Sequence, residues 1–178
     1  MARHGGGSFA LGLRRGDAKS VEEALRIIAD VKADKLLRLQ YTEILGEAPN
    51  ANAIPVLLDI VKSEPGTDLK RTALGALKPY NDARIPAAVL AVYGELPDSL
   101  RKVAGMLLAG RADWAFELLR EVDAGELAAD LVSAEVASLL RSHGGGRVGQ
   151  LSTKHFAGAA MDAAKLELEI QRLAKVVM

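Results

Sequence analysis

No cysteine occurs in the chain, which excludes disulfides, thiolate metal sites and C-x-x-C-H haem attachment within it. Aromatic residues are almost as scarce, 4% of 178 residues, although 49% are hydrophobic. An interior drawn from such a pool consists of Ala, Leu, Ile and Val, the composition of closely packed helices rather than of a sheet sandwich. An excess of either charge is also missing. With 23 Lys plus Arg against 23 Asp plus Glu, nothing pulls the chain in bulk toward nucleic acid or anionic lipid. No apolar run approaches the roughly 20 residues of a membrane span, and Met1 to Ser8 lack the apolar core of an export signal.

What is present is helical periodicity. Val21, Ala24, Leu25, Ile28 and Val31 recur at three- and four-residue steps, the spacing of one buried helix face, with Asp17 or Ser20 available as cap. Leu36, Leu37, Leu39, Ile44 and Leu45 make a second run, closed by Gly46, Pro49 and Asn50. The pattern restarts with Asn52 capping Ile54, Leu57, Leu58 and Val61, and then with Thr67 capping Leu69, Ala73, Leu74 and Leu77. A third pair follows Asp82 (Ile85, Val89, Leu90, Val92) and Pro97 (Leu100, Val103, Ala104, Leu107, Leu108). The fourth runs from Trp114, Phe116, Leu118, Leu119 and Val122 through Asp123-Ala124-Gly125 to Leu127, Leu131, Val132, Val136, Leu139 and Leu140.

These pairs repeat at a fixed distance. Ala24 to Val31 aligns with Ile54 to Val61 at an offset of 30, and that segment with Ile85 to Val92 at 31, with Pro55 and Pro86 in the same place. Leu37 to Leu45, Leu69 to Leu77 and Leu100 to Leu108 share a frame at offsets of 32 and 31. A constant period with repeated helix breaks marks one supersecondary unit used several times. Each hairpin alone leaves an apolar face exposed, and stacking hides those faces in one continuous core.

The residues resemble HEAT repeats, because the W-x-x-L-G and T-P-L-H signatures of tetratricopeptide and ankyrin repeats are missing. The period near 31 is similar to the compact variety of phycobilin-lyase-like proteins. The resemblance implies an all-α fold, a right-handed α-α superhelix (HEAT-like solenoid) of about four helical hairpins plus a C-terminal helix. Residues 1–143 are expected to hold the repeats, 144–161 a Gly-containing linker, and 162–178 an amphipathic helix with Leu166, Ile170, Leu173 and Val177 on one stripe. That helix is expected to cap the stack or to serve self-association.

A narrower resemblance rests on Pro65 to Leu77, with Leu36 to Gly46 before it and Leu166 to Val177 after it. These segments are similar to the helical region preceding the cytochrome c module in large haem-binding, membrane-bound-dehydrogenase-like proteins of planctomycetes. In that family a C-x-x-C-H segment follows the last helix, and the location implied is extracytoplasmic. This chain stops at Met178, and Phe9 to Gly16 reads like the end of an earlier repeat's helix, so a fragment of a longer protein is expected.

Catalytic chemistry finds no footing in the sequence. His4, His143 and His155 lie in Gly-rich or terminal segments without a second ligand at helical spacing, and read as surface residues. Gly144 to Gly149 has the glycines of a phosphate loop but follows a helix and lacks G-K-[ST]. No catalytic residue, metal site or cofactor is therefore expected, and Trp114, beside Arg111 and Asp113, reads as core. The candidate binding residues are basic and lie on the second helices: Lys70, Arg71, Lys78, Arg101 and Lys102. Lys70 with Arg101, and Arg71 with Lys102, are placed to form a ladder along one face. The leading expectation is a scaffold for a protein partner, with a spacer beside a haem module as its specific form. A nucleic-acid-binding or repair module using the ladder is the alternative, and a lyase-like chaperone for a tetrapyrrole the third reading.

Overall fold

The computed structural model describes residues 6–157, and the chain divides into two compact units, Met1–Leu107 and Leu108–Met178. The described residues are helical, with turns and no strand. The expected helix at 162–178 lies outside them.

In the first unit the helices are α1 (Gly6–Arg14), α2 (Ala18–Ala29), α3 (Lys35–Glu47), α4 (Ala53–Ser63), α5 (Thr67–Ala76) and α6 (Arg84–Tyr93). Helix α7 (Asp98–Ala109) begins in the first unit and ends in the second. Their starts are set by side chains that satisfy otherwise orphaned backbone N–H groups. Asp17 accepts from Ser20 N at 2.9 Å and Asp34 from Leu37 N at 3.0 Å. Two expected caps are not made. Asn52 precedes α4 without a side-chain cap, and its own N–H donates to Asn50 Oδ1. Thr67 is already inside α5, and its predecessor Gly66 has no side chain to offer. Pro55 and Pro86 each sit third in their helix, where a missing N–H is harmless.

The helices of this unit pack in a regular succession. Helix α1 lies against α2 and α3, α2 against α3 and α4, α3 against α5, and α4 against α5 and α6. Alternate helices thus form two rows, α1-α3-α5 and α2-α4-α6, with a core of Ile28, Leu45, Leu57, Leu74, Ile85 and Tyr93 between them. Helices α3 and α5 approach very closely, since a Cβ on Gly46 would stand 2.8 Å from Ala76 Cα. Glycine is what permits that approach.

Three residues expected in the core are outside it. Val31 is 73% exposed, Leu36 74% and Leu37 39%. Helix α2 ends at Ala29, so Val31 falls in the turn. The buried stripe of α3 is Arg38, Tyr41, Thr42 and Leu45, a frame that turns Leu36 outward.

The second unit contains α8 (Ala112–Ala124), a 3₁₀ turn at Ala129–Leu131, α9 (Ala134–Ser142) and a helical segment over 146–157. Its core is built from Trp114, Leu118, Leu119, Val136, Leu140 and Phe156. Gly125 closes α8 in the left-handed conformation, φ 80°. Two expectations change here. The helix expected from Leu127 is a 3₁₀ turn followed by α9, whose cap is Ser133, and the stretch 144–161 expected as a linker is helical from 146 to 157. The Gly144 turn makes this possible. A Cβ on Gly149 would collide with the Gly144 carbonyl oxygen, so the new helix folds back against the turn only because residue 149 is glycine.

Candidate partner-binding surface

The basic residues singled out by the sequence fall into two classes that their count alone conceals. Lys70 and Arg101, and with them Arg38, which the sequence reading did not single out, are each the fourth residue of a second helix, in α5, α7 and α3. Arg38 and Lys70 reach back to a carbonyl near the end of the preceding helix, and Arg101 to one in the turn before its own helix. Arg38 Nε donates to Ile28 O at 2.9 Å, Lys70 Nζ to Lys62 O at 3.4 Å, and Arg101 Nη2 to Leu96 O at 2.7 Å. Ile28 and Lys62 are penultimate in α2 and α4, where carbonyls lack helical partners and the helix dipole favours a cation. Lys70 and Arg101, proposed as rungs joining successive repeats, are therefore each tied within their own hairpin. Arg101 also pairs with Asp98 at 3.1 Å. Arg38 is the deepest, with its Nη2 on Glu64 Oε2 at 2.8 Å and side-chain exposures of 7% and 11% for the two partners.

Arg71, Lys78 and Lys102, by contrast, are exposed. The surface around them is mixed in sign. Arg14 pairs with Glu47 at 3.0 Å and Lys35 with Asp68 at 2.6 Å, each pair joining helices of neighbouring hairpins across 33 residues. Lys35 holds the Asp68 carboxyl below its ordinary range, first by hydrogen bonding and then by charge, with a smaller contribution from Arg71. No continuous positive strip results.

One feature of the described surface is apolar and was missed by the sequence reading. Val31 lines a groove of about 430 Å³ with Ala33, Lys35, Arg38, Pro65 and Leu69 among others, and Leu36, next in sequence to the lining residue Lys35, is exposed. A smaller recess next to it reaches Val56, Asp59 and Ile60. The α2–α3 turn supplies one wall and the α4–α5 turn the other, and the Arg38–Glu64 pair clamps the two. Glu64 is fixed in turn, because its Oε1 accepts from Gly66 N at 3.3 Å. A signal existed in the sequence: Arg38, Lys70 and Arg101 share one frame, and an Arg in a leucine-rich first turn marks where the buried stripe must run.

The histidines have structural partners. His143 Nε2 donates to Ala109 O at 2.6 Å and His155 Nε2 to Asp123 Oδ1 at 2.7 Å, with Lys154 on the same carboxylate oxygen. Lys154 and then His155 hold the Asp123 carboxyl below its usual range. The Asp123 bonds fasten the 146–157 helix to α8 and the His143 bond ties the end of α9 to the end of α7, so the reading of His143 and His155 as plain surface residues is replaced by one of anchoring. His4 lies outside the described residues. Trp114 is buried, with the Arg111 guanidinium 5.0 Å from its ring centre. Among the described residues no group of three or more His, Cys, Asp or Glu is placed to hold a metal ion, and no helix is long and apolar enough to cross a membrane.

Compared with protein-family models, with curated proteins and with solved structures, the chain shows no match.

Proposed function

We propose that the chain is a non-catalytic scaffold, a right-handed HEAT-like stack of helical hairpins that holds a protein partner through apolar contacts at its inter-helix turns. One observation carries this reading. The second-helix cations at the fourth position are consumed by backbone carbonyls, while Val31, which lines a groove, and Leu36, next in sequence to its lining residue Lys35, stand in solvent. The two-row succession of α1 to α6 and the recurring period support the stack. Exposed apolar residues gathered at a groove mark an interaction site, since scattered ones would not share a concavity. In the form suggested by the haem-protein resemblance, the stack is a spacer within a longer chain, and reading the gene beyond Met178 for a C-x-x-C-H segment tests that form.

The test has two arms. A photo-crosslinking residue at position 36, installed in the cells that make the protein, is expected to give protein adducts that the same residue at Lys78 does not give. Titration with duplex DNA is expected to show no binding, hence no salt slope. A log–log slope of about −2.7 or steeper, the release expected when three cations engage phosphates, would transfer the function to nucleic acid. Absence of protein adducts at position 36 would remove the scaffold reading.

A further inference from the structure

We infer that the helix over 146–157 is a hinged strap, pivoting at the Gly144 to Gly146 turn and latched at its far end, which opens as a unit while α8 and α9 stay folded. The inference concerns the second unit alone and stands apart from the groove of the first. The strap's grip on the core is narrow. Val148, Ser152 and Phe156, one residue per turn, form its buried stripe, and the middle one is a hydroxyl that donates to Gly149 O of its own helix at 3.1 Å. Two buried apolar side chains therefore hold it down, against five in α8: Trp114, Ala115, Leu118, Leu119 and Val122. Elements with few buried apolar contacts open at free energies below that of the whole fold.

The two ends of the strap differ. At its start, a Cβ on Gly144, Gly145 or Gly146 would meet nothing within 4 Å, and Gly144 and Gly146 have φ of 71° and 76°. The turn is thus unpacked and built from the residue with the most backbone freedom. One ring contact lies nearby, the Arg147 guanidinium 5.9 Å from the Phe116 ring centre. At the other end three ties fall on consecutive residues: Lys154 and His155 both donate to Asp123 Oδ1, and Phe156 O accepts from Arg141 Nη1 at 3.1 Å. Hinge and latch are at opposite ends. Asp123 points to the same device. It is next to last in α8, where a carboxylate opposes the helix dipole, so α8 by itself is weakened by it and the strap's donors account for it.

Native-state hydrogen exchange of the full chain, resolved residue by residue by NMR, tests the strap. Amides of 150–157 are expected to share one protection factor, about 10-fold or more below that of residues 116–122 in α8. Asp123→Ala should lower the strap's protection by about 5-fold, the loss of two exposed contacts, while α8 keeps or gains protection, because alanine is the better helix former and no longer opposes the dipole. Gly145→Ala, at a turn position without positive φ, should raise the strap's protection by about 2- to 5-fold by stiffening the pivot. Equal protection of α8 and 150–157 in the wild type overturns the inference, since strap and core then open together. Asp123→Ala lowering both alike, the mark of a merely structural aspartate, or changing neither, overturns it as well. Gly145→Ala without effect on 150–157 would remove the hinge.

Discussion

Replacing Arg38 by Met would test the physical core of the first unit. Methionine keeps an apolar stem and removes both donors, so Ile28 O loses its bond at 2.9 Å and Glu64 its partner at 2.8 Å. The Glu64 carboxylate, only 11% exposed, then retains a single backbone donor, Gly66 N at 3.3 Å. Removing one member of a buried ion pair strands the other charge and typically costs about 3 to 5 kcal/mol. At about 2 to 4 °C per kcal/mol for a chain of this size, the midpoint of thermal unfolding should fall by about 6 to 20 °C. Arg14→Met is the control, because the Arg14–Glu47 pair is 49% and 59% exposed and such pairs contribute about 0.2 to 1 kcal/mol. Arg38→Met with Glu64→Leu should recover much of the loss, since apolar residues of similar volume often replace a buried pair without penalty. Far-UV circular dichroism during heating and urea titration reads all three. If Arg38→Met lay within about 1 kcal/mol of wild type, the clamp would be ornamental and the reasoning refuted.

Gly46→Ala should destabilise by about 1 to 3 kcal/mol, because its Cβ meets backbone of Ala76 at 2.8 Å and forces α3 from α5. Gly75→Ala, a helical position with nothing within 4 Å, should instead stabilise by about 0.5 to 1 kcal/mol, and urea midpoints for the two variants must move in opposite directions. The Asp123 carboxyl has a lowered folded-state pKa, so its contribution is present above the unfolded value of about 3.9 and disappears as pH falls through the folded one. The stability difference between wild type and Asp123→Asn should accordingly hold steady above about pH 5 and shrink in acid, as followed by the emission of Trp114, the single tryptophan. Burial pushes the Tyr93 hydroxyl up to about 12, so the folded state keeps its proton longer than the unfolded chain, and stability should decline as pH rises from about 10 toward that value. Tyr93→Phe should lessen the alkaline decline measured by circular dichroism.

The helices were legible because their signals are local. Asp17 as a cap, Pro55 and Pro86 in first turns and Gly125 as a stop all act within a few residues of themselves, and each stands where the sequence puts it. The frame of Leu69, Leu77, Leu100 and Leu108 likewise gave four buried side chains. What failed depended on partners distant in sequence. Leu37 has the same frame as Leu69 and Leu100 yet is 39% exposed, so identical repeats need not find identical neighbours. The Gly144 to Gly149 stretch looks flexible in composition, and only the fold-back of the helix over 146–157 shows that its glycines serve close approach instead. The candidate surface was the least legible part, because leucines at helical spacing give no indication of which one the frame leaves in water.

The divided fate of the basic residues follows from helix geometry. A side chain at the fourth helical position points back toward the helix N-terminus, and in a hairpin that is where the preceding helix ends in unpaired carbonyls. A cation there is drawn inward, as Arg38, Lys70 and Arg101 are. One residue later the side chain has turned about 100° around the axis, and Arg71 and Lys102 face solvent. Counting five basic residues on second helices therefore overstates the positive face, since Lys70 and Arg101 serve the hairpins and Lys78 lies in the turn beyond α5, which ends at Ala76. The reduction bears on function through counterion release: three phosphate contacts in place of five would lower the salt slope from about −4.5 to −2.7. Between 50 and 200 mM salt the smaller slope corresponds to a loss of about 40-fold in affinity, against about 500-fold for five contacts.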